Sequence, residues 1–282
     1  MIGMTGCTAL FVRALAALSV AAAASSTVAE AQPAPVAEIA PGILAGYLPL
    51  DALPNSLALL PPPPAAGSAA FTGDEEFSRK TFALRGTPRW TLAIADSDST
   101  FPQAASIFSC VLSASITEQE TPHLYMLMRR SLTDVVLSTN AAKNKYNRTR
   151  PFVVNKEPVC TPDEEAQLVN DGSYPSGGAA VGWAWALILS EIAPDRANAI
   201  LARGRNVGRS RVICNAHWES DVIQGGVMGA ATVARLHAND AFLADLTASK
   251  TELEAIRARG FKSTRDCASE AAAISLDPSP AP

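Results

Sequence analysis

Three short segments carry side chains that could act together on a phosphoryl group. The first, "KNKYNRTRP", places Lys143 and Arg150 seven residues apart and closes on Pro151. The second, "YPSGG", runs from Tyr174 to Gly178 and opens an apolar stretch. The third, "SRVICNAHWESD", sets Arg211 six residues ahead of His217 and Asp221 four after it. Guanidinium forks grip two oxygens each and an ammonium acts as a point charge, so Lys143, Arg150 and Arg211 suit a phosphate. Ser176 and the N–H groups of Gly177 and Gly178 at a helix start would add neutral donors and the favourable dipole end. If His217 and Asp221 share a helical turn, i and i+4 lie on one face. A carboxylate on one ring nitrogen fixes the tautomer and leaves the other nitrogen free to attack phosphorus.

Taken singly, each segment has an ordinary explanation. A Lys–Arg pair at a helix end is usually a solvated face, and P-S-G before a helix is usually a turn and cap. A His–Asp pair four residues apart is usually a structural hydrogen bond. Together, in order and at fixed spacing, they describe a site that forms a phosphohistidine.

The three blocks resemble the tripartite motif K-x6-R-P, P-S-G-H and S-R-x5-H-x3-D of the acid phosphatase superfamily. That group holds bacterial class A non-specific acid phosphatases, type 2 phosphatidic acid phosphatases and vanadium haloperoxidases. The first and third blocks match completely, and "RGTPRWTLAIADSD", "GSYPSG" and "HWESDVIQGG" extend the similarity to class A over about residues 45–260. The resemblance implies an exported, metal-independent phosphomonoesterase with no cofactor. Lys143, Arg150, Arg211, Ser176 and Gly177 would bind phosphate, His217 would be the nucleophile and Asp221 its orienting partner. The second block departs at its last position. Where the family has a general-acid His, this chain has Gly178, which has no side chain to protonate a leaving group. The expected outcome is an acid phosphatase of reduced activity. The alternative is a non-catalytic phosphate-binding relative or an inactivated variant.

Elsewhere in the chain the histidines offer no substitute. His123 stands on a predicted core helix, and His237 follows the nucleophile by twenty residues, about 30 Å along a continuous helix. No His/Asp cluster has metal-ligand spacing. Asp171, Tyr174 or a water stay open as proton donors.

The elements that must position these residues read as helices. Predicted helices cover "DEEFSRKTFALRG" with Gly86 as a stop, "TPRWTLAIADSDS" and "PQAASIFSCVLSASI". A long one covers "TPHLYMLMRRSLTDVVLSTNAAKNKY", with Leu124, Leu127, Met128, Leu132, Val135 and Val136 at helical spacing. Thr161 is a predicted N-cap before Pro162. Four more follow from Ser176 to Gly260. With no convincing alternating strands, the fold class is all-α, a single compact helical domain.

Composition sets the outer limits. Apolar residues make up 48% of the 282 and charged residues 18%, which favours a large core over disorder. A net charge of −4 argues against non-specific nucleic-acid binding. No apolar helix of the mature chain reaches the roughly 20 residues needed to span a bilayer. The resemblance implies a small phosphorylated substrate or inorganic phosphate as partner, with a homo-oligomer left open.

Residues 1–31 read as a signal peptide, with Ala29 and Ala31 as an A-x-A cleavage site, so the mature chain is periplasmic or secreted. Residues 32–73, rich in Pro and Ala, read as an extended segment without ladders. The helical domain spans 74–260, and a tail, 261–282, frays beyond Cys267. Removing the leader leaves Cys110, Cys160, Cys214 and Cys267. Two disulfides suit an oxidising compartment, with three connectivities open.

Overall fold

Prolines and short polar caps set where the helices of this chain begin. The computed structural model describes residues 1–3, 32–260, 263 and 265–277. The expected leader and its cleavage site therefore lie outside the described residues, except for residues 1–3. From Gln32 onward the chain forms one compact unit.

Strands β1 (Glu38–Ala40) and β2 (Ile43–Leu44) pair antiparallel, Glu38 opposite Leu44. Helices α1 (Ser56–Leu59), α2 (Ala69–Thr81), α3 (Pro88–Ala95), α4 (Gln103–Ser106) and α5 (Ser109–Leu112) follow. Then come α6 (Pro122–Ser138), α7 (Asn140–Tyr146), α8 (Pro151–Asn155) and α9 (Glu165–Val169). The second half holds α10 (Gly177–Ile192), α11 (Ala197–Ile213), α12 (Glu219–Leu236), α13 (Asp240–Ala258) and α14 (Cys267–Ser275). The fold is all-α apart from the small sheet.

Helix α10 is the centre of the molecule. It packs on α11, α12 and α6, and Ala184, Trp185, Ile188 and Leu189 are all buried. The indole N–H of Trp185 bonds Met128 O and Ser131 Oγ on α6, each at 3.2 Å, so the large ring leaves no orphan donor in the core. Gly225 lets α12 close on the start of α10. A Cβ there would stand 2.4 Å from Ser176 O, so any larger residue would push the second and third motifs apart.

The structure departs from the sequence reading in several places. The Pro- and Ala-rich stretch carries a ladder after all, because Pro41 and Gly42 (φ 76°) form the turn that joins β1 to β2. Helix α2 begins at Ala69, capped by Ser68 Oγ, which accepts the Phe71 N–H at 3.2 Å. The Asp134 carboxylate on α6 accepts the N–H groups of Tyr47 (2.8 Å) and Leu48 (3.1 Å), and so pins this stretch to the bundle.

The long helix before the first motif breaks at Thr139, whose hydroxyl donates to Val136 O at 2.7 Å, a local bond that competes with the helical ladder. The helix expected over 102–116 is two short pieces, α4 and α5. Thr161 is not a side-chain cap. Its hydroxyl is unbonded, and a 3-10 turn, Pro162–Glu164, precedes α9. The tail does not fray at Cys267. Asp266 caps α14, and Glu270 from this helix bonds Arg203 Nε at 3.1 Å.

The four cysteines among the described residues pair, Cys110 with Cys267 and Cys160 with Cys214. Among the described residues no helix is long and apolar enough to cross a membrane.

Candidate active site

The three motifs meet at the start of α10. Lys143 comes from the last turn of α7, and Asn147 then turns the chain in the left-handed conformation (φ 38°). That turn leads to Arg150, the N-cap residue of α8, with Pro151 at the first helical position, where a missing N–H costs nothing. Arg211 lies in the last turn of α11. His217 stands in the short link between α11 and α12, where Asn215 makes a second left-handed turn (φ 59°).

Lys143, Arg150, Arg211 and His217 line one cavity of ≈ 250 Å³, together with Gly177, Gly178 and Asp171. Its remaining wall is apolar on one side, with Leu132, Val136, Val181 and Trp185. The Ser97–Ser99 loop and Glu164 face in from elsewhere.

Arg150 is the best-held of the cations. Its Nε donates to Leu168 O and Asp171 O, both at 2.9 Å, and Nη1 donates to Ala216 O at 3.0 Å. The same Nη1 stands 3.0 Å from His217 Nε2, and Nη2 donates to Asp171 Oδ2 at 2.9 Å. Lys143 Nζ donates to Gly172 O at 2.7 Å and reaches Asp171 Oδ2 at 3.4 Å. Arg211 is different. It is 7% exposed, and its Nε and Nη1 are buried with no hydrogen-bond partner. Burial, aided by Arg150, pushes its pKa down to about 10. Burial also lowers Lys143 and Arg150, against the pull of Asp171 on each. Three under-solvated cations around one cavity could hold a tetrahedral oxyanion.

The imidazole has a defined tautomer. Its Nδ1 is 2.8 Å from the carbonyl oxygen of Ser173, which can only accept, so Nδ1 carries the proton. Nε2 is then a lone pair, directed at the Arg150 guanidinium. Burial lowers the His217 pKa well below the ordinary value, and Arg150, Arg211 and Lys143 add to that. A neutral ring nitrogen facing an anion clamp is the arrangement a nucleophile on phosphorus requires.

Asp221 sits otherwise than the i, i+4 spacing suggested. His217 precedes the helix, Trp218 is the N-cap, and Asp221 is at N3. Its Oδ2 accepts the Trp218 N–H at 2.8 Å and stands 3.7 Å from His217 Nδ1, too far for a hydrogen bond. Its Oδ1 accepts from Arg148 Nη1 at 2.6 Å. Ser176 also differs from expectation. Its Oγ accepts the Ala179 N–H at 3.3 Å as the cap of α10, and it does not line the cavity. Gly177 and Gly178 do line it. Among the described residues no group of three or more His, Cys, Asp or Glu could hold a metal ion.

Comparison with known proteins places the chain. The profile of the PAP2 superfamily matches residues 121–241, which include all three motifs. The non-specific acid phosphatase of Salmonella typhimurium is 42% identical over 200 residues, 71% of this chain and 80% of the relative. That of Providencia stuartii is 41% identical over 204 residues, 72% and 82% of the two chains. The acid phosphatase of Zymomonas mobilis is 39% identical over 203 residues, 72% and 77%. The chain belongs to the PAP2 superfamily. Within it the protein is a class A acid phosphatase, a phosphoric monoester hydrolase.

Two residues of this acid phosphatase site, Arg148 and Ser173, went unnoticed in the sequence, and a third, Asp171, was read only as an open proton donor. Arg148, inside the first motif, joins the Asp221 carboxylate to that of Asp74 on α2, at 2.6 and 2.8 Å. Its signal was its place two residues before Arg150. Ser173 acts through its carbonyl, which no side-chain pattern reveals. Asp171 precedes the second motif by a few residues and bridges Lys143 and Arg150. The open proton-donor candidate Tyr174 is committed elsewhere, its hydroxyl donating to Pro61 O at 2.6 Å.

Proposed function

We propose that this chain is an exported acid phosphatase that hydrolyses phosphate monoesters through a phosphohistidine at His217. Lys143, Arg150, Arg211 and the N–H of Gly177 hold the phosphate oxygens while Nε2 attacks phosphorus and the ester P–O bond breaks. Water then attacks the phosphorus and the P–N bond breaks, releasing phosphate and neutral His217. Asp221 serves indirectly, by capping the turn that presents the ring. The observation that carries this reading is the His217 tautomer, with Nδ1–H on Ser173 O and Nε2 turned to Arg150.

Gly178 decides how fast the cycle runs. With no acid at that position, the leaving oxygen departs as an anion or takes its proton from solvent. A positioned general acid contributes about 10²–10⁴-fold, so alkyl phosphates suffer most and activated aryl esters least. The clamp and the oriented ring contribute separately and remain. The competing reading, a phosphate-binding protein without turnover, is favoured by the same glycine beside an intact set of cations.

The test is an assay at pH 5 to 7 with p-nitrophenyl phosphate and an alkyl phosphate, on the native chain and on Gly178→His. A Cβ at Gly178 would lie 3.2 Å from Arg211 Cδ, so Arg211 must give by a few tenths of an ångström. Restored turnover on the alkyl ester, or rescue of the native chain by imidazole, supports the reading. Phosphate binding without turnover in either protein selects the non-catalytic one.

We also read residues 1–31 as a leader removed near Ala31 and 74–260 as the catalytic domain. The two disulfides support passage to an oxidising compartment.

A further inference from the structure

Asp171 is bonded to the same two cations assigned above to the substrate phosphate. Its Oδ2 accepts from Arg150 Nη2 at 2.9 Å and from Lys143 Nζ at 3.4 Å. Neither cation depends on that carboxylate for its place. Arg150 is held by the carbonyls of Leu168, Asp171 and Ala216, and Lys143 by the carbonyl of Gly172 at 2.7 Å. What the carboxylate supplies is charge. Lys143 and Arg150 are both poorly hydrated, and both are pulled back up by Asp171. Yet the Asp171 side chain is 44% exposed, unlike the buried Arg150 it contacts. A carboxylate at the rim can rotate into water without leaving an unsolvated charge behind.

We infer that Asp171 is an internal competitor for the phosphate clamp. Its carboxylate occupies N–H groups that phosphate oxygens must take, and an entering phosphate displaces it towards solvent. The inference rests on the phosphate-binding reading of Lys143 and Arg150. Its consequence is a site that does not hold its product. Inorganic phosphate carries the same oxygens as the substrate, so three unopposed cations would retain it. Asp171 lowers affinity for both and so speeds phosphate release.

Calorimetric titration with inorganic phosphate tests this on the full mature chain and on its Asp171→Asn and Asp171→Ser variants. Asn keeps the shape without the charge, and Ser removes the group that could reach the cations. Both variants are expected to bind phosphate about tenfold more tightly, about 1.4 kcal/mol. The product-inhibition constant falls in parallel, and KM falls more than kcat changes. Melting curves of the three proteins show that the fold is kept. If both variants bind phosphate as the native chain does or more weakly, Asp171 is a positioning residue and the inference is wrong. If the native chain binds none while the variants do, the competitor role stands in its strongest form. If none of the three binds phosphate, the phosphate-clamp reading fails and the inference fails with it.

Discussion

His217 Nδ1 lies 2.8 Å from Ser173 O and 3.7 Å from Asp221 Oδ2. The turn that precedes α10 therefore sets the tautomer of the ring, and the carboxylate four residues on does not. This couples the second motif to the third through the backbone. The chain reaches Ser173 just before the α10 cap, and Ser173 N–H in turn donates to Arg148 O at 2.8 Å. The Ser176 N–H also donates to Asp221 O at 2.9 Å, so all three motifs are tied through the main chain, and the Asp221 side chain adds bonds to Arg148 and the Trp218 N–H.

Asp221→Asn separates these roles. The amide oxygen can still accept the Trp218 N–H, but Arg148 loses one of its two buried carboxylates and keeps Asp74. Breaking a buried pair costs roughly 3–5 kcal/mol, and the remaining partner puts this case near 3. The imidazole should stay protonated at Nδ1, which 15N chemical shifts of His217 read directly. A switch to the Nε2–H form would mean that Asp221, not Ser173, controls the ring.

The pH dependence of stability has a component from His217. Folding holds its pKa well below the ordinary value, while in the unfolded chain it titrates near 6.5. Below about pH 6.5 the unfolded state binds a proton that the folded state does not. Stability is therefore lost as pH falls from 6.5 towards the folded-state pKa, by at most about 1.4 kcal/mol per pH unit. His217→Gln lacks this component, so relative to the native chain it should gain stability between pH 7 and pH 5, by at most about 2 kcal/mol. Urea melts at those pH values measure it. Parallel profiles for the two proteins would show that His217 is not held neutral.

The helices and the site were legible in the sequence to different degrees. Spacing and punctuation announced α6 and α10, because periodic burial and cap chemistry are local, whereas Pro151 was read as the close of a helix and in fact opens α8. The break at Thr139 and the early start of α2 were not legible, since each turns on one hydroxyl whose partner depends on the packed structure. Among site residues, charge and spacing exposed Lys143, Arg150, Arg211 and His217. The role of Ser173 was hidden, because it acts through its carbonyl, while Ser176 was read both as a phosphate donor and, in the ordinary explanation, as the cap it proves to be. Asp221 was found for a sound reason, and its carboxylate stands 3.7 Å from His217 Nδ1 while its hydrogen bonds go to Arg148 and the Trp218 N–H. The i, i+4 rule holds within a helix, and His217 lies one residue outside the N-cap.

Gly178→Ala isolates the contribution of space from that of a proton donor. The methyl group would meet Arg211 Cδ at 3.2 Å and Nε at 3.3 Å, with no group able to ionise. Turnover should not rise, and the rate ratio between p-nitrophenyl phosphate and an alkyl phosphate should keep the native value. KM should change by a few-fold at most as Arg211 shifts. Gly178→His should instead narrow that ratio by about 10²–10⁴. An equal gain from Ala would show that the native chain is limited by a loose Arg211 and not by a missing acid.

The two disulfides should fail in different ways. Cys160–Cys214 closes a separation of 54 residues and Cys110–Cys267 one of 157. Chain entropy gives about 4 and about 5 kcal/mol for their removal. Cys214 lies three residues before His217, and Asn215 beside it bonds Asn155 and the Glu157 carbonyl, so this bridge fixes the turn that carries the ring. Cys267 opens α14, whose Glu270 reaches Arg203, and none of Cys110, Cys267 and Glu270 lines the cavity. Cys110→Ser/Cys267→Ser should therefore lower the melting temperature and leave KM for p-nitrophenyl phosphate close to native. Cys160→Ser/Cys214→Ser should lower the melting temperature and also cost kcat/KM at temperatures where the fold persists. Comparable kcat/KM losses in both pairs, measured well below melting, would mean that the His217 turn does not rely on its own bridge.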